Sequence, residues 1–200
     1  MVGTLHQRWT GSRWRSRLFT CAARAARSLA LVVLTTLVLA GAAQAYERPA
    51  KLNEVAASYS LGVGEIRCPS QREWDTDFAS SFGYAYTNML DDYSVLSPLV
   101  CAGALGVASN DVPDWQQALG VLVLVHESFH LRRWRWRRNE GKVECQAMVY
   151  FKEAVVRLGA SAEHAHSLYV YAIALHMHKV SLFPQYRDRA CKLTLWAPPQ

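Results

Sequence analysis

The run His126-Glu127-Ser128-Phe129-His130 sets two imidazoles four residues apart, with a carboxylate next to the first. Residues four apart on a helix project from one face. Both rings can therefore reach one zinc ion, at about 2.0–2.1 Å. Glu127, one step round the helix, is near enough to take a proton from a water on that metal. Zinc lowers the pKa of such a water to about 7 and polarises a carbonyl under attack. The chemistry expected of this pattern is metal-assisted hydrolysis, with one Zn2+ per chain. The bland alternative is a helix whose histidines are hydrogen-bonded and whose glutamate pairs with an arginine. Against it stands the position of the motif at the end of an apolar stretch, where unpartnered polar groups are costly.

A third protein ligand is needed. The elongated motif H-E-x-x-H-x-x-G-x-x-H is excluded, because Arg133 stands where its glycine should be and Trp136 where its third histidine should be. The next helical stretch offers Glu140 and Glu144, again four apart. Glu144 falls inside the expected helix 142–158 and is the preferred ligand. Glu140 is expected in the connecting loop, as an alternative ligand or as a partner for an arginine or for a histidine behind the ligands.

These side chains must be carried by a mainly helical domain, with α+β as the neighbouring class. Helices are expected over 49–61, ended by Gly62 and Gly64, and over 70–81 and 99–107. A long helix is expected over 115–133 with Asp114 as its cap. Its centre, residues 121–125, is apolar on every side and therefore buried. Residues 142–158, closed by Gly159, and 161–180, capped by Ser161, make two more long helices. One or two short strands are expected, at 65–68 and 83–87, with a turn at Asp91-Asp92. The strand at 83–87 is a candidate edge for holding an extended substrate.

Composition bounds the rest. Two hundred residues, 51% hydrophobic and 19% charged, exclude a disordered chain and leave no length for a second large core. The net charge of +6 is misleading, because residues 1–45 contain six arginines and no acid while the remainder has 16 basic and 16 acidic residues. That leader has a basic stretch, an uncharged apolar run over 29–43 and the small-residue site Ala43-Gln44-Ala45, the pattern of an export signal. Domains are thus expected at 1–45 and 46–200. Export, or membrane anchoring if the signal is retained, agrees with four cysteines beyond the leader. Cys68, Cys101, Cys145 and Cys191 are expected to form two disulfides, in any of three pairings.

Arg133, Trp134, Arg135 and Trp136 belong to the only concentrated charge outside the leader, Arg132 to Arg138. They are a solvated helix end or a contact with substrate or an anionic envelope surface. Nucleic acid is not expected, since the rest of the domain offers no supporting concentration of basic residues. His164 and His176 could approach the metal site from the last long helix.

The H-E-x-x-H helix followed by a glutamate on the next helix resembles the gluzincin type of zincin metallopeptidases. The chain is also similar to a group of secreted actinobacterial proteins. The shared residues are Cys68 and Trp74, Leu99-Val100-Cys101, His126 through Leu131, Asn139-Glu140, Glu144-Cys145-Gln146-Ala147, and Tyr186, Cys191, Leu195 and Pro198. The chain departs from them in carrying the Arg/Trp run where a short glycine-containing link would stand. The resemblance implies a zincin-like fold, zinc held by His126, His130 and Glu144, catalysis by Glu127, and a peptide or protein substrate. Two other readings are a non-catalytic envelope scaffold using residues 132–138 and a hydrolase of non-peptide amides.

Overall fold

Seventeen residues without a proline, apolar all round at their centre, form the helix about which the others are arranged. The computed structural model describes residues 46–77, 82–87, 92–132, 139–188 and 190–191. All belong to the unit Tyr46–Gln200, which is distinct from Met1–Ala45. The expected leader lies outside the described residues. So do Arg133, Trp134, Arg135 and Trp136, residues 78–81 of an expected helix, and the tail with Leu195 and Pro198.

Among the described residues six helices run in chain order, α1 Ala50–Ser60, α2 Gln71–Asp77, α3 Pro98–Leu105, α4 Asp114–His130, α5 Glu140–Arg157 and α6 Ala162–Leu182, followed by a 3-10 turn at Pro184–Tyr186. Three strands, β1 Glu65–Arg67, β2 Gly83–Thr87 and β3 Asp92–Leu96, form one sheet in the order β1-β3-β2. The protein is thus mainly helical with a small sheet, as expected from the pattern. Every residue from Gly120 to His130 is buried, and α4 touches α1, α3, α5, α6 and the sheet. A helix surrounded on all sides has no use for a polar face.

Local signals explain most of the boundaries. Ser97 accepts a hydrogen bond from the Val100 amide at the start of α3, and Ser161 accepts one from His164 at the start of α6. Leu61 and Gly62 turn α1 off in the left-handed region. Two expectations are corrected. Asp114 is not the cap of α4 but its first residue, with Pro113 before it; its charge there suits the helix N-terminus. Asp92 does not make a turn but opens β3, the middle strand of the sheet. Ser94, Val95 and Leu96 of that strand are all buried, and the Ser94 hydroxyl donates to the Glu127 carbonyl at 3.3 Å. The two leading acids hid a strand that packs on the motif helix.

Cys68 pairs with Cys101 and Cys145 with Cys191. The first bridge ties the end of β1 to α3, and the second ties α5 to the chain beyond the 3-10 turn. Two such bridges belong to a chain that folds in an oxidising compartment. No helix among the described residues is long and apolar enough to cross a membrane. Each bridge closes a long loop of the unfolded chain. Replacing Cys68 and Cys101 together by serine should cost about 2–5 kcal/mol of unfolding free energy, read from urea denaturation.

Candidate metal centre

The site is assembled where the end of α4 meets the start of α5. Asn139 accepts a hydrogen bond from the Lys142 amide and so starts α5 at Glu140. Glu140 is therefore the first helical residue rather than part of a loop. Glu140 and Glu144 lie one above the other on a single face, opposite the two histidines of α4, which are one turn apart in the same way.

The geometry brings Glu140, and not Glu144, to the point between the two rings. His126 Nε2 lies 3.1 Å from His130 Nε2 and 3.2 Å from Glu140 Oε2, and His130 Nε2 lies 3.4 Å from the same oxygen. Three donors held at about 2.0–2.1 Å around a tetrahedral ion stand roughly 3.3–3.4 Å apart. The observed triangle has about those edges, so His126, His130 and Glu140 could hold a metal ion. The preference for Glu144 as the third ligand is corrected accordingly. Glu144 sits a turn deeper, where the far side of the His126 ring is within reach and the metal side is not.

Glu144 is fully buried, with its Oε2 2.9 Å from His126 Nδ1. This approach is close but off the direction of a well-aligned hydrogen bond. The same carboxylate takes a hydrogen bond of 2.8 Å from Lys179 Nζ, and its other oxygen is 3.2 Å from His176 Nδ1. His176 thus meets the site through Glu144, whereas His164 pairs with Gln117 at 2.9 Å, away from it.

The charges follow from these contacts. Burial alone would raise the Glu144 pKa, but His126, His176 and Lys179 hold it well below the ordinary carboxylate range. Hydrogen bonds from His126 and His130 hold Glu140 down in the same way. Burial works against a charged His126, yet Glu140 and Glu144 outweigh it and raise its pKa. Glu127 differs from both other acids. Burial pushes its pKa up by more than the nearby His126, His130 and Lys179 charges pull it down.

Glu127 faces a cavity of about 250 Å³ lined also by Gly83, Tyr84, Ala85, His126, His130, Glu140 and Tyr186. One wall is β2, at the edge of the sheet among the described residues. Gly83 packs closely there: a Cβ would lie 3.2 Å from Glu127 Cγ and 3.0 Å from Val123 Cγ1, so a side chain would make these neighbours give way. The register is also informative. Ser97 donates to the Phe82 carbonyl, and pairing continues as Tyr84 with Val95 and Tyr86 with Tyr93. Alternation along an antiparallel pair then turns the amide groups of Gly83 and Ala85 away from β3, toward the open edge.

The opposite wall is Tyr186, whose ring lies 5.8 Å from that of His126. Its phenol is pushed up to about 12 by burial and by Glu140, Glu127 and Glu144, so it stays protonated. The resemblance includes this tyrosine but gives it no role; the bridge Cys145–Cys191 and the stop at Pro184 bring it back over α5. Beside α5, the Arg187 carbonyl packs so close to Gly141 that a Cβ there would meet it at 2.9 Å.

The swap of glutamates is directly testable. Glu140→Gln should weaken divalent-metal affinity more than about 100-fold, whereas Glu144→Gln, acting only through His126, should cost about 10–100-fold, both read by competition with a chromophoric chelator. Comparison with protein-family models, with curated proteins and with solved structures found no match, so the functional reading rests on these side chains.

Proposed function

We propose that the protein is an exported zinc-dependent hydrolase that cleaves peptide bonds, with His126, His130 and Glu140 as ligands and Glu127 as the acid–base group. The observation that carries the reading is the triangle of Nε2, Nε2 and Oε2 atoms, with a separate glutamate, Glu127, in the same cavity. Two imidazoles and one carboxylate suit zinc and leave a coordination position for the reaction. Bound there, zinc would supply a Lewis acid that polarises the carbonyl and makes water acidic near neutral pH.

The other steps belong to the chain. The Glu127 carboxylate accepts the proton that the attacking water gives up, and returns it to the amine that leaves. A carboxylate whose pKa is raised by burial is suited to both halves of that transfer. The protonated Tyr186 phenol offers a donor on the other wall, toward charge developing on the carbonyl oxygen. Peptide is the favoured substrate class because the outward amide groups of Gly83 and Ala85 can pair with an extended chain laid along β2. The two disulfides support export, as does the leader pattern in residues 1–45.

The test combines metal and mutation. Mature protein should carry about one zinc per chain, and chelation should abolish cleavage of an unfolded protein substrate. Glu127→Gln should keep the zinc and lose about 10²–10⁴-fold in kcat. Zinc-free protein that still cleaves, or a Glu127→Gln variant as active as wild type, would refute the proposal.

A further inference from the structure

Outside the metal triangle, the least ordinary group is an ammonium set beneath it. Lys179 lies in α6, three residues after His176, so the two side chains leave the same face of that helix. Its Nζ donates to Glu144 Oε2 at 2.8 Å and stands 3.8 Å from the centre of the Tyr186 ring. His176 occupies the other Glu144 oxygen. Glu144 has no contact with solvent, and a buried carboxylate is held in place only by what it bonds to.

We propose that Lys179 is a positioning residue for the metal centre, acting through Glu144 on His126, an inference that rests on the metal reading above. The chain of contacts runs from α6 through α5 to α4. Lys179 and His176 fix both Glu144 oxygens, and Glu144 Oε2 is thereby held 2.9 Å from Nδ1 of the His126 ring. A carboxylate that close favours the proton on Nδ1, which leaves the Nε2 lone pair for the point shared with His130 and Glu140. The same ammonium lies against Tyr186, so one side chain sets the far wall of the cavity as well as the orientation of a ligand. Remove the cation, and Glu144 loses its shortest hydrogen bond and is free to turn from His126.

The experiment is zinc binding by the mature protein with both disulfides intact, measured by chelator competition, with no need of a substrate. Lys179→Met should weaken zinc about 10–100-fold relative to wild type. Lys179→Arg, which keeps the cation, should recover part of the loss. Circular dichroism checks the fold, and Lys179→Gln carries the same expectation if the methionine variant does not fold. Equal zinc affinity in wild type and the neutral variant overturns the role of Lys179 and leaves the metal site standing. An arginine variant as weak as the neutral one overturns the charge-based account. A wild-type protein that takes up no zinc overturns the metal reading and this inference with it.

Discussion

Two pairs of side chains, each pair four residues apart on its own helix, face each other across the junction of α4 and α5. His126 and His130 on one side and Glu140 and Glu144 on the other are all buried or partly buried. Rings and carboxylates taken out of water are costly unless they satisfy one another. Here the rungs match: Glu140 meets the two Nε2 atoms, and Glu144 meets Nδ1 of His126 one turn below. The position of α5 relative to α4 is therefore fixed by chemistry as well as by packing. A slip of one residue in either helix would rotate a ligand by roughly 100° and break the match.

The remaining architecture serves that junction from three sides. The apolar core buries α4 and keeps the histidines in a low-dielectric setting where charge interactions are strong. The sheet brings β2 beside Glu127, with Gly83 at the point of closest approach. The segment after α6 folds back over α5, held by the Cys145–Cys191 bridge, and places Tyr186 opposite the strand. The cavity thus lies between a polar strand edge and an aromatic wall, with two carboxylates, Glu127 and Glu140, and two imidazoles at its floor.

Much of this was legible in the sequence because it is local. The motif histidines, the buried helix that carries them, the strand at Gly83–Thr87 and the caps at Ser161 and Gly159 all follow from spacing and residue type. What was misread depended on a single boundary. Starting α5 at Lys142 left Glu140 in a loop and promoted Glu144, although Asn139, a good capping residue, stood directly before Glu140. β3 was hidden because its first residue is an aspartate, and its role comes from burial against α4 that no local pattern records. Tyr186, His176 and Lys179 reach the site across 32 to 60 residues of chain, and the disulfide pairing that returns Tyr186 has three equal solutions on paper. Such long-range placements are decided by tertiary packing.

The most direct test is anomalous diffraction at the zinc edge from crystals of the mature protein grown with one equivalent of zinc. The account predicts a single strong peak about 2.0–2.1 Å from His126 Nε2, His130 Nε2 and a Glu140 oxygen, with Glu144 on the far side of the His126 ring. No peak at that point, or a metal held by Glu144 in place of Glu140, would contradict it.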